Sequence, residues 1–203
     1  MKLLNFRVQL AVCFFCIMCS CSASAAEWTV EQLMQALASH HSGRATFTET
    51  TYLAMLKRPV ESSGELSFTA PDYLQKTTLV PKREVLNLRG DEISIERKGR
   101  KHVLRLSDYP QIAAFVDSIR GTLVGDHAVL ANAYRMTLAG SENNWQLVLI
   151  PNANAANGVR QIAITGAAGS VASIEIMQTD GDHSVMRIEN LQLDGSNAVE
   201  HAP

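Results

Sequence analysis

Gly90-Asp91-Glu92-Ile93-Ser94-Ile95-Glu96-Arg97-Lys98-Gly99-Arg100 sets two turn signals around a short segment in which apolar and polar residues alternate. On an extended chain Ile93 and Ile95 fall on one face, and Glu92, Ser94 and Glu96 on the other. Gly90-Asp91 turns the chain into this segment, and Lys98-Gly99-Arg100 turns it out again towards Leu104 and Leu106, which flank Arg105. The stretch reads as successive β-hairpins, each strand burying one face and wetting the other.

The same grammar extends in both directions. Upstream, Ala45, Phe47, Tyr52 and Leu53 lie in a Thr-rich run, Leu66 and Phe68 alternate with Glu65, Ser67 and Thr69, and the segments Tyr73 to Val80 and Val85 to Leu88 follow Pro71-Asp72 and Pro81. Downstream come Tyr134, Met136 and Leu138, then Trp145, Leu147 and Leu149, then the pairs Ile162/Ile164, Ile174/Ile176 and Met186/Ile188. Together these predict about eleven strands.

Only two stretches carry helical spacing. Val30, Leu33, Met34 and Leu37 follow a start signal of Thr29, Glu31 and Gln32. From Pro110 to Gly125, the residues Ile112, Phe115, Val116, Ile119 and Leu123 form one apolar stripe. Strict alternation in the strands points to an antiparallel sheet and excludes a doubly wound α/β fold. Two helices cannot cover a flat sheet of that width. The sheet is therefore expected to curl around them into a mainly β, unclosed antiparallel β-barrel with a helical lid or plug. The stripe at 110–125 fits either role, with Gly121, Gly125 and Asp126 as hinge positions for a lid.

The first 26 residues read as a secretory leader, in which Lys2 and Arg7 precede an apolar run from Val8 to Met18 and small residues through Ala26. A bilayer span needs about 20 apolar residues and this run is shorter, so cleavage after Ala25 or Ala26 is expected. The remaining chain reads as one domain over 27–197 with a frayed tail at 198–203; the Ala/Asn-rich stretch from Asn152 to Gly158 reads as a long loop. Cys13, Cys16, Cys19 and Cys21 all lie in the leader, which removes disulfide, thiolate-metal and thiol-nucleophile chemistry from the rest. Met18-Cys19-Ser20-Cys21 loosely resembles a lipoprotein signal with Met in place of the usual Leu, so a free form is favoured over lipid anchoring at Cys21. Losing Lys2 and Arg7 takes the formal charge from -2 to about -4, the wrong balance for a nucleic-acid binder.

Signals for chemistry are weak. His40-His41 closes the first helix, where an imidazolium suits exposed carbonyls, and His102, His127 and His183 fall on separate segments without spaced acidic partners. Asp180-Gly181-Asp182 lacks the regularly spaced oxygen ligands of a calcium loop and reads as a hairpin turn. No nucleophile elbow, phosphate loop or dinucleotide fingerprint occurs, so no catalytic residue, no metal and no cofactor is expected. Arg97, Lys98, Arg100 and Lys101 cross a hairpin tip near Asp91, Glu92 and Glu96. They read first as a solvated turn, with docking to anionic headgroups or an acidic protein as the rival.

Three stretches resemble the periplasmic outer-membrane lipoprotein carrier family, called LolA-like. Ser42-Gly43-Arg44-Ala45-Thr46-Phe47-Thr48-Glu49 is similar to its opening strand. Ser63-Gly64-Glu65-Leu66-Ser67-Phe68-Thr69-Ala70-Pro71-Asp72-Tyr73-Leu74 is similar to its glycine-led strand and x-Pro turn, and Ile174 to Asp182 to its late hairpin. The order of elements matches as well.

The resemblance implies a half-open barrel of eleven strands, a helical lid and a cavity for acyl chains. It implies an exported, non-enzymatic carrier in the periplasm of a Gram-negative bacterium, monomeric, that receives an acylated lipoprotein or other lipid from a membrane-bound donor and passes it to an acceptor. The alternatives on the same fold are a lipid-sensing or regulatory module of the envelope and an accessory protein of a lipid or glycolipid pathway. Members carry an arginine before the proline of the x-Pro turn that latches the lid; Ala70 stands there in this chain.

The expected cavity lining is Leu66, Phe68, Leu86, Leu88, Ile93, Ile95, Leu104, Leu106, Met136, Leu138, Leu147, Leu149, Ile174 and Ile176, with Ile112, Phe115, Val116, Ile119 and Leu123 on the lid. Any one lining residue reads first as packed interior; the expectation of a cavity rests on the set.

Overall fold

The computed structural model describes residues 28–109, 116, 119–122, 124–152 and 158–194 of the 203-residue chain. The expected leader, Cys21, the centre of the loop after Asn152, the tail at 198–203 and the lid positions Ile112, Phe115 and Leu123 lie outside them.

Helix α1 (Val30–Ala38) begins at a capping box: the Thr29 hydroxyl accepts from the Gln32 N–H at 3.2 Å, and the Gln32 side chain accepts from the Thr29 N–H at 2.9 Å. Its apolar stripe Leu33, Met34 and Leu37 is buried. In the first turn Glu31 is held below the ordinary carboxylate range, chiefly by a hydrogen bond from its own backbone, then by the Thr29 hydroxyl and by nearby His127.

Eleven strands follow. They are β1 (Ser42–Tyr52), β2 (Val60–Thr69), β3 (Tyr73–Val80), β4 (Glu84–Arg89), β5 (Glu92–Arg97), β6 (Arg100–Arg105), β7 (Tyr134–Ser141), β8 (Asn144–Pro151), β9 (Val159–Ala167), β10 (Ser170–Gln178) and β11 (His183–Asp194). All pair antiparallel in one sheet of order β6-β5-β4-β3-β2-β1-β11-β10-β9-β8-β7. Two meanders are thus joined where the first strand meets the last. β6 and β7 form the two edges, so the sheet is not closed.

Turn chemistry accounts for the hairpins. Lys98 (φ 53°) and Gly99 (φ 72°) form the two-residue β5–β6 turn in the left-handed region, which suits the twist of the strands it joins. Gly64 lies where the β2–β3 register shifts, and a Cβ there would sit 1.9 Å from the Thr77 carbonyl oxygen, so only glycine permits this approach.

The structure departs from the expected element list in two places. Leu106, expected on a strand with Leu104, lies in a 3-10 turn (Leu106–Asp108). Asp91 draws the chain there: its backbone oxygen accepts from the Leu106 N–H at 2.8 Å, and its carboxylate from the Ser107 N–H and hydroxyl, both at 2.9 Å. Between β6 and β7, besides helical residues at 116, 119–122 and 124, there is a further helix α2 (His127–Ala133) that the two expected helical segments do not include. Its start is capped by Asp126, whose side chain accepts from the Val129 N–H at 3.1 Å, and it buries only Leu130. A single buried residue leaves no stripe to read.

The interior is divided. One core packs α1 and Leu130 against β7–β9, with Tyr134, Trp145, Leu147, Leu149, Ile162 and Ile164 buried. A second, smaller core joins Leu88 and Ile93 to Leu106 and Val116. The helical residues at 116, 119–122 and 124 lead to a contact with α1 at Gly125 (φ 65°), which leaves no room for a side chain: a Cβ would lie 2.0 Å from the Met34 carbonyl oxygen. Gly125 therefore acts as a close-contact point with α1.

Candidate functional site, an apolar cavity

Between the two cores the concave face of the sheet is not filled. A cavity of about 420 Å³ runs across it, within the range of small-molecule sites. Residues of β4 and β5 on one side and of β8 and β9 on the other border the same space, so the sheet wraps around it. The floor is laid by β1, β2, β3, β10 and β11; Leu37 and the inner helical residues Val116, Ile119 and Thr122 close it from above.

Of the residues expected to line a cavity, Leu66, Phe68, Leu86, Leu88, Ile93, Leu149, Ile174 and Ile176 border this one, together with Val116 and Ile119 from the lid stripe. The others are placed differently. Leu147 is fully buried in the larger core, and Met136 and Leu138 pack against that core from the edge strand β7. Leu106 is buried in the smaller core with Ile95 packed on it. Leu104 is half-buried on the edge strand β6, outside the lining.

Residues outside the expected lining complete the wall, above all Met186 and Ile188, read from the sequence as a strand pair, and Leu191 and Leu193, all of β11. In a regular strand Met186 and Ile188 would face opposite to Leu191 and Leu193. The β1–β11 register shifts between Arg44 and Thr46, opposite Asn190, which takes a φ of 52° and donates its side-chain N–H to Thr46 Oγ1 at 3.0 Å. This bulge moves the pleat by one residue and returns Leu191 and Leu193 to the cavity face. The spacing 186, 188, 191, 193 is the signal that could have revealed it.

The wall also carries one ion pair. Glu49 and Lys76 occupy inward positions of β1 and β3, with Lys76 Nζ 2.5 Å from Glu49 Oε2 and 4.8 Å from the centre of the Phe47 ring. Ser62 Oγ donates to the same carboxylate oxygen at 3.3 Å. At the other end, His40 borders the cavity with its Nδ1 buried and without a hydrogen-bond partner among the described residues. No group of three or more metal-ligating side chains occurs among the described residues. The lining offers a largely apolar space with an opposite-charge pair in its wall.

An arginine reaches the rim beside the x-Pro turn, although Ala70 occupies the expected position. Ala70 donates its N–H to the His41 carbonyl at 2.8 Å. Arg120, from the inner helical segment, borders the same recess as Ala70 and Pro71 and donates from Nη2 to the Gly90 carbonyl of the β4–β5 turn. The guanidinium thus comes from the covering segment and not from the sheet.

The model of the family described as outer membrane lipoprotein carrier protein LolA-like matches residues 22–198. The chain belongs to this LolA-like family. Among solved structures, this family member is similar to a DUF1329 family protein of Desulfovibrio piger, at 12% identity and a TM-score of 0.48 over 83% of this chain and 92% of that one. It is also similar to the lipoprotein LppX of Mycobacterium tuberculosis, at 12% identity and 0.46 over 80% and 92%. A LolA superfamily protein of Nitrosomonas europaea matches at 10% identity and 0.43 over 82% and 94%. No curated protein sequence matches the chain.

Proposed function

We propose that this LolA-like chain is an exported carrier, working as one domain over 27–197 in the periplasm, that houses an acyl chain of a lipoprotein or another lipid and moves it towards the outer membrane. The cavity carries this reading: its walls are mainly aliphatic, and it stays open between two solid cores where a purely structural interior would be filled. Exposing a chain of ~16 carbons to water costs about 12 kcal/mol at roughly 0.8 kcal/mol per methylene, which stops unassisted crossing of an aqueous compartment. Burial along the concave sheet offsets that cost without chemistry, so the reading needs no enzyme activity and no cofactor. The residues proposed to touch the chain are those of the cavity wall, with Leu66, Phe68, Ile174, Ile176 and Met186 along its floor and Leu88 at one side. Release requires only an acceptor whose site binds the chain more tightly, and a membrane-bound donor and acceptor are the proposed partners.

Native mass spectrometry of the protein purified from its own cell envelope tests the proposal. A carrier leaves with a discrete additional mass that fragments to acyl products. Protein that is consistently empty, from cells in which it is abundant, argues against carriage.

A further inference from the structure

The turns β1–β2 (53–59), β3–β4 (81–83) and β5–β6 (98–99) all lie at one end of the sheet, side by side, because β1 to β6 are consecutive antiparallel neighbours. This end departs from an ordinary solvated rim in two independent ways. Most of the large exposed apolar side chains among the described residues gather here: Tyr52, Met55, Leu56, Val60, Leu79 and Val80. Met55, in the middle of the longest of these turns, is 86% exposed, so it projects into solvent with nothing packed on it.

The second departure is charge. Lys57 and Arg58 on the first turn, Lys82 and Arg83 on the second, and Lys98, Arg100 and Lys101 at the third are all exposed. Among the described residues none of them is engaged in an ion pair. Arg97 is the exception, 3.4 Å from Glu84. Glu61 and Glu96 are the other acids on these strand ends, and Asp180 and Asp182 sit on the neighbouring β10–β11 turn, where Asp182 is occupied by the Ala54 N–H at 2.7 Å. A chain with more acidic than basic residues overall thus concentrates its free cations on one rim.

We infer that this rim docks onto an anionic lipid surface, with Met55 and Leu56 entering the headgroup boundary and the surrounding lysines and arginines meeting lipid phosphates. Apolar side chains at a projecting tip that carries cations of its own and has basic turns along one side are the combination that partitions to a charged bilayer interface, through apolar burial plus electrostatic attraction. An acidic protein partner would instead favour a broad, well-packed patch of standard interface size, and a seven-residue turn with two short ones along one side of it offers a tip. The inference concerns a surface outside the cavity and holds whatever the cavity carries.

Flotation of the mature protein with vesicles provides the test. Vesicles containing about a third phosphatidylglycerol in phosphatidylcholine should carry the protein, pure phosphatidylcholine vesicles should not, and raised salt should release much of it. Each cation near such a surface contributes about fivefold to partitioning. Joint replacement Lys57→Glu, Arg58→Glu, Lys82→Glu and Arg83→Glu is therefore expected to cut binding more than about a hundredfold. Met55→Asp with Leu56→Asp should remove the part of the binding that survives salt. None of these side chains belongs to the cavity wall or to either core, so each variant should keep the wild-type circular dichroism spectrum and melting midpoint, which reports that it is folded. Equal binding to the two vesicle types, or folded variants that float as wild type does, would overturn the inference.

Discussion

Ile174→Asp is expected to weaken uptake of an uncharged fluorescent hydrocarbon probe by at least about a hundredfold while the empty protein stays folded. Ile174 lies on β10 between Ile164 and Met186 and borders the cavity. A carboxylate there keeps its hydration only while the cavity is empty. An entering chain must strip that water or force protonation, and desolvating an unpaired charge costs several kcal/mol. At 1.4 kcal/mol per tenfold, about 3 kcal/mol of that cost is already a hundredfold in affinity. Ala172→Asp, on an exposed position of the same strand, controls for added charge and should leave uptake unchanged. Probe titration by fluorescence, with circular dichroism of the empty variants, reads both effects. Undiminished uptake by Ile174→Asp would remove this face from the binding site.

Trp145→Ala is expected to destabilise the protein by about 3–5 kcal/mol, the usual range for deleting a buried tryptophan. Trp145 is 1% exposed on β8 among Leu33, Leu130, Leu147 and Ile164, and its ring fills the space above Gly166. Its Nε1–H donates to the Ala168 carbonyl at 2.9 Å, fastening the β9–β10 turn to the core. Trp145→Phe keeps an aromatic ring in the core and loses that hydrogen bond to the exposed Ala168, whose carbonyl water can then reach, so the lost bond should cost only about 0.5–1.5 kcal/mol. Urea denaturation at constant m-value separates the two variants. A loss near zero for Trp145→Ala would mean that the larger core is not the rigid half on which the cavity is built.

These two residues show what the sequence reveals and what it conceals. The alternation at Ile93/Ile95, Trp145/Leu147/Leu149 and Ile174/Ile176 displays a half-wet antiparallel sheet, because period two is a local property of the chain. Which inward residue meets another side chain and which meets empty space is settled by where the helices lie. Leu147 and Ile174 have the same pattern, yet α1 covers the first and leaves the second open. Leu191 and Leu193 were hidden by a one-residue bulge at Asn190, and Leu106 was drawn out of its strand by the Asp91 carboxylate. Glu49 and Lys76 stood on the apolar positions of β1 and β3, but their partnership spans two strands and emerges only once the sheet is paired. The basic hairpin tip at 97–101 was visible; its alignment with Met55, Lys57 and Lys82 required the strand order.

The account depends on a curved sheet enclosing oily space that a hydrocarbon chain can enter. Calorimetric titration with a homologous series of saturated monoacylglycerols, at constant headgroup and increasing chain length, tests this most directly. Affinity should rise by up to about 0.8 kcal/mol per added methylene and then level off once the cavity is full. Binding that is absent across the series, or independent of chain length, would contradict it.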